Sequence, residues 1–201
     1  MNYDKYKGAL RTALIRAVLV LFISLLNISP ALSQNKESIA VSELEAGDSI
    51  YVITNREIDT THEELAFNYK VDEAANLTFL KATLNDSLEI VNQYLSYEDF
   101  MLEVCTKASD WLLFVHGDGK TYNESVQRGF DIQNTYNVNL IVFSWPSELP
   151  NINGLKNFKN SENNVSKSVG HFNQLLSFMK DFRESNMSFQ EGANLSMLLH
   201  S

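Results

Sequence analysis

Two places in the 201-residue sequence carry residue types that can do chemistry. The first is His116-Gly117-Asp118-Gly119-Lys120-Thr121, directly after the apolar run Trp111-Leu112-Leu113-Phe114-Val115. A glycine-rich turn leading from a strand into a helix presents backbone amides to an anion. Two chemistries compete for this turn. Gly119-Lys120-Thr121 looks like the end of a phosphate-binding loop, but such a loop needs another glycine five positions before Gly119, and Phe114 stands there, inside the strand. The stretch is then too short to wrap phosphates. The other chemistry uses Gly117 to turn the chain away from the strand, so that the Asp118 amide points at a developing oxyanion. The second place is Ser201, just after the apolar stretch 193–199. A tight strand-to-helix turn at that point would present its hydroxyl outside the sheet, as in the Gly-x-Ser-x-Gly nucleophile turn, although Leu199 occupies the first glycine position. His200 is not expected to act as a base on its neighbour, because adjacent strand residues point to opposite sides.

The elements that must position these residues follow from hydrophobic patterning. Ile50 to Thr54 reads as the first strand, and Phe67 to Val71 and Leu77 to Leu84 as two further extended segments of an antiparallel ribbon. Ser96, followed three residues later by Asp99, opens a helix carrying Phe100, Met101, Val104 and Cys105. The run from Trp111 to Val115 has the look of a strand buried on both faces. Thr121 caps a helix with Glu124 as its partner, and Val126, Phe130 and Ile132 supply its apolar positions. Val138 to Trp145 is the next strand, ending in the rigid turn Ser144-Trp145-Pro146-Ser147. Glu148 to Ser161 reads as a polar loop. Val165 to Phe182 reads as one helix with Val165, Val169, Phe172, Leu175, Leu176 and Met179 on its apolar face and Gly170 as its weak point. Ala193 to Leu199 is a last strand. Strand, helix, strand, helix, strand from Trp111 onward calls for right-handed crossovers and a mostly parallel α/β sheet.

The N-terminus has the layout of a signal peptide: Lys5, Lys7, Arg11 and Arg16, then an apolar stretch from Ala17 to Ile28, then Ala31 and Ser33 spaced for a cut before Gln34. An uncleaved anchor is the alternative, but the apolar stretch falls short of the roughly 20 residues needed to span a bilayer. The expected organisation is a signal peptide over 1–33, a linker or loosely packed lead-in over 34–49, and one domain over 50–201. The product would be periplasmic or extracellular, with no stable membrane span after cleavage. Cleavage leaves 12 Lys/Arg against 24 Asp/Glu, a formal charge of −12, once Lys5, Lys7, Arg11, Arg16 and Asp4 are removed from the chain's 16 basic and 25 acidic residues. That excess of negative charge argues against nucleic acid and anionic membranes as partners. Cys105, the single cysteine, can form no internal disulfide and reads as apolar filler. His62, His116, His171 and His200 lack metal-ligand spacing, so no metal is expected.

Leu113-Phe114-Val115-His116-Gly117, Ile141-Val142-Phe143-Ser144-Trp145-Pro146-Ser147 and Leu198-Leu199-His200-Ser201 together resemble a family of bacterial α/β hydrolases of unknown function. The resemblance extends over roughly 50–201 and implies a serine esterase or lipase acting on a small acyl substrate, without a cofactor. It implies Ser201 as nucleophile and His116, Gly117 and Asp118 as the oxyanion loop, with Trp145 a candidate wall of the acyl pocket. The family pattern carries an aromatic residue and Asn after the His-Gly pair, where this chain has Asp118-Gly119, which brings a carboxylate close to the oxyanion. In this fold the acid and the histidine base follow the nucleophile in chain order. Residues 1–201 are therefore expected to be the N-terminal half of a hydrolase and inactive alone. The alternative is a non-catalytic envelope-binding protein on the same sheet.

Overall fold

The computed structural model describes residues 44–59, 66–74, 77–107, 110–148, 154–186, 189 and 192–200. The expected signal peptide, most of the expected lead-in, His62 and Ser201 lie outside the described residues.

Eight strands are seen in chain order among them: β1 (Ser49–Thr54), β2 (Arg56–Asp59), β3 (Ala66–Val71), β4 (Thr78–Leu84), β5 (Ile90–Leu95), β6 (Trp111–Val115), β7 (Asn139–Ser144) and β8 (Leu195–Leu199). Four helices join them: α1 (Tyr97–Cys105), α2 (Tyr122–Tyr136), α3 (Gly154–Lys167) and α4 (Val169–Ser185). The main sheet runs β5-β4-β1-β7-β6-β8, and β2 pairs with β3 in a separate ribbon. Strands β1, β7, β6 and β8 are parallel to one another, whereas β4 runs antiparallel to β1 and β5 antiparallel to β4. This is the mostly parallel α/β sheet that the alternation of elements calls for.

Alternate strand residues face opposite layers. Tyr51, Ile53, Trp111, Leu113, Ile141 and Phe143 pack with Phe100 and Val104 of α1 and Leu175, Phe178 and Phe182 of α4. Ile50, Val52, Phe114, Leu140 and Val142 pack instead with Tyr122, Val126, Phe130 and Ile132 of α2. Both faces are thus covered, which is why the central strands read as unbroken apolar runs. Gly129 lets α2 lie close to the sheet: a Cβ there would meet Val142 Cγ2 at 2.6 Å and Ile50 Cδ1 at 2.8 Å.

Several expectations are corrected. The three early extended segments do not form one ribbon. β1 pairs with β4, while β3 pairs with β2, a strand whose Arg-Glu-Ile-Asp sequence carries a single apolar residue. The loop after β7 is shorter than expected, because α3 begins at Gly154. The long helix is two helices broken at Ser168, not at Gly170. Val165, Val169 and Leu176 are exposed, whereas Leu175 and Met179 are buried. Cys105 is half-buried against the core.

Candidate active site

The carboxyl ends of β6 and β7 lie side by side, with Val115 opposite Phe143, so the loops that follow them meet. His116 and Trp145 lock those loops together. Their rings stack with centroids 5.6 Å apart and 4° between planes. The Trp145 backbone N–H donates to His116 Nε2 at 3.1 Å, and the Trp145 indole N–H donates to the His116 carbonyl at 2.8 Å. His116 Nδ1 lies 2.8 Å from the Gly117 carbonyl. Since Nε2 accepts, Nδ1 must carry the proton, and the ring is held as one neutral tautomer. Burial pushes its pKa down to about 4, helped by the nearby Arg56 guanidinium. With both nitrogens engaged, His116 is part of the scaffold and not a proton acceptor.

The next four residues are fixed one by one. Asp118 turns its carboxylate onto its own loop and onto α3: Oδ1 accepts from the Gly119 N–H at 2.8 Å and lies against the Ser161 hydroxyl. Gly119 has φ +72°, a left-handed turn that favours glycine. Lys120 and Ser147 exchange hydrogen bonds, the amide donating to Oγ at 3.0 Å and the hydroxyl donating to the Lys120 carbonyl at 3.1 Å. Thr121 and Glu124 form the capping box that starts α2, with the Thr121 N–H donating to Glu124 Oε2 at 2.9 Å. The helix start is therefore filled by the chain's own carboxylate, which leaves the phosphate reading no free amides from Gly119 to Thr121.

Gly117 and Asp118 differ. Among the described residues, no acceptor is hydrogen-bonded to either amide. Gly117 is buried, where an N–H is rarely left without a partner, whereas Asp118 is exposed and its amide is open to solvent. β8 reaches the same place: the His200 N–H donates to the Val115 carbonyl at 3.0 Å, so this strand leaves the sheet beside Gly117. A cleft of about 470 Å³ opens there, with Phe114, His116, Gly117, Lys120, Arg128 and His200 among its walls. Trp145 is half-buried and serves the loop lock; it is not among the residues lining this cleft.

The residues that hold the loops from below carry no local sequence signal. Arg56, Ser147, Ser161 and Asn164 are all buried, and Asn164 Nδ2 donates to the Pro146 carbonyl at 2.9 Å. Among the described residues there is no group of three His, Cys, Asp or Glu able to hold a metal, and no helix long and apolar enough to cross a membrane.

A mostly parallel sheet with helices on both faces, and a rigid amide-bearing loop at its carboxyl edge, defines the α/β-hydrolase class. The chain belongs to the family described as alpha/beta hydrolase of unknown function (DUF900), whose pattern matches residues 97–200. No curated protein and no solved structure matches the chain.

Proposed function

We propose that the protein is an exported serine hydrolase of the esterase or lipase type, with Ser201 as nucleophile. The observation that carries this reading is the pair of unaccepted amides at Gly117 and Asp118, followed by the accepted amides of Gly119, Lys120 and Thr121, beside the strand that leads to Ser201. Ser201 attacks the acyl carbonyl. The negative charge that develops on the carbonyl oxygen is held by the Asp118 amide, with the Gly117 amide beside it. The Asp118 carboxylate would repel that charge if it faced the cleft, and its engagement with Ser161 and Gly119 turns it aside. His116 is not the base, and the reading requires another histidine, held by a carboxylate, to take the serine proton. The apolar stretch Ala17 to Ile28, with Ala31 and Ser33 spaced for a cut before Gln34, supports a location outside the cytoplasm.

The test uses the complete natural gene product. It should hydrolyse a short-chain nitrophenyl ester and gain the mass of one phosphonyl group from a fluorophosphonate, and Ser201→Ala should abolish both. Unchanged hydrolysis in Ser201→Ala would overturn the assignment. N-terminal sequencing of the exported protein should begin at Gln34.

A binding role is the second reading, favoured by the exposed apolar residues Leu155, Phe158, Val165 and Val169 along α3 and the start of α4. A folded gene product without esterase activity or phosphonate labelling would select it.

A further inference from the structure

Arg56 is the only Lys, Arg, Asp or Glu among the buried described residues, at 1% exposure. It stands at the start of β2, where its backbone N–H donates to Thr54 Oγ1 at 3.1 Å, and the Thr54 hydroxyl donates in turn to the Ser144 carbonyl at 2.6 Å. The side chain runs beneath both loops of the site. Nη2 donates to the Lys120 carbonyl at 3.0 Å and to the Trp145 carbonyl at 2.7 Å, and Nε donates to Ser144 Oγ at 3.1 Å. Ser144 Oγ is itself 2.9 Å from Ser125 Oγ on α2. Among the described residues no carboxylate forms an ion pair with Arg56, and Nη1 has no hydrogen-bond partner.

Burying a guanidinium without a counter-charge is costly, and an apolar side chain would fill the same space more favourably. What an apolar side chain cannot do is bind two carbonyls at a fixed angle. Arginine's planar fork does that with little remaining freedom. The two carbonyls belong to the last residue of the glycine loop before its helix cap and to the tryptophan that locks that loop. We infer that Arg56 is a positioning residue for the oxyanion-binding amides: by tying the Lys120 carbonyl to the Trp145 carbonyl it holds the Gly117 and Asp118 N–H groups in one direction. The inference rests on the acyl-transfer reading of the site. Amides that are already oriented spend no reorganisation energy as charge develops, and loosening them lowers turnover more than substrate binding.

Arg56→Lys keeps the charge but gives up the fork, since one ammonium on a flexible stem cannot serve all three acceptors in the same geometry. In the complete gene product, kcat for ester hydrolysis should fall by about 10–100-fold with KM changed by less than about threefold. Amide hydrogen exchange at Gly119 and Lys120, whose N–H groups are hydrogen-bonded within the site, should be faster in the variant, whether or not substrate is present. Arg56→Ala should be slower still, and millimolar guanidinium should restore at least about tenfold in rate by refilling the site. If neither variant folds, Ser144→Ala removes the Nε acceptor together with the Ser125 contact, leaves both carbonyls held by Nη2, and should lower kcat by about threefold to tenfold. A folded Arg56→Lys protein with wild-type kcat, or one whose loss lies wholly in KM, overturns the inference. A wild-type protein without esterase activity sinks the acyl-transfer reading instead. The exchange rates then decide the positioning claim alone, and rates unchanged by Arg56→Lys reject it.

Discussion

Helices α2 and α3 each follow a parallel strand, and they are held to the protein by opposite chemistry. α2 buries Val126, Gly129, Phe130 and Ile132 and turns Asn123, Glu124, Gln127 and Arg128 to solvent. α3 buries Ser161 and Asn164 and exposes Leu155, Phe158 and Val165. The first arrangement gains from removing apolar area from water. The second gains from satisfying carbonyls that would otherwise be buried and unpaired. Asn164 holds the carbonyls of Pro146 and Tyr69, Asn157 reaches the Ser147 carbonyl, and Ser161 lies between the Ser147 carbonyl and Asp118. α2 builds the core; α3 braces loops. One sheet can therefore separate the helix that gives stability from the helix that gives shape to a site.

The contrast can be broken at four points. Phe130→Ala on α2 removes a fully buried ring and should cost about 4 kcal/mol in urea unfolding; a loss under about 1 kcal/mol would mean that α2 is not a core helix. On α3 the sensitive positions are polar. Asn164→Ala strands two carbonyls and should cost about 2 kcal/mol, and nitrophenyl ester turnover should fall further than Phe130→Leu lowers it. The loops that α3 braces should make stability depend on pH through His116. The folded imidazole titrates near 4 and the unfolded one near 6.5, so acid favours the unfolded chain in between. Its contribution is complete above pH 6.5, declines on acidification, and should amount to about 2 kcal/mol lost by pH 5. His116→Asn should flatten the urea midpoint across that window, and an unaltered slope would remove His116 as the cause. Smallest of all, Phe158→Ser on the exposed side of α3 should change stability by less than about 0.5 kcal/mol. A larger loss would show that the apolar side of α3 is covered.

The same contrast decides what could be read from the sequence. β6 was legible because five consecutive apolar residues mark a strand covered on both faces, and α2 because Thr121 and Glu124 announce its start and its apolar positions keep a helical period. α3 reads as loop up to Ser161, since a helix that buries its polar side inverts the pattern by which amphipathic helices are recognised. β2 carries no signal for a related reason: four residues with Ile58 as the single apolar side chain hold no period. At the site, His116-Gly117 and the Trp145-Pro146 turn are local signals and were found. Arg56 meets its two carbonyls across separations of 64 and 89 residues, and Ser161 meets Asp118 across 43. Nothing in a short window links an arginine to a distant carbonyl, so the supporting network becomes visible only once the strands are paired.

The face-to-face contact of Trp145 with His116 has an optical consequence. Indole fluorescence is sensitive to a neighbouring imidazole and to its charge, and Trp145 is half-exposed while the other tryptophan, Trp111, is 1% exposed in the apolar interior. The two should emit at separable wavelengths, Trp145 to the red. The chain thereby carries a built-in dye on the lock of its glycine loop, one that reports the loosening of that lock by acid, by substitution or by a bound ligand without any label being attached.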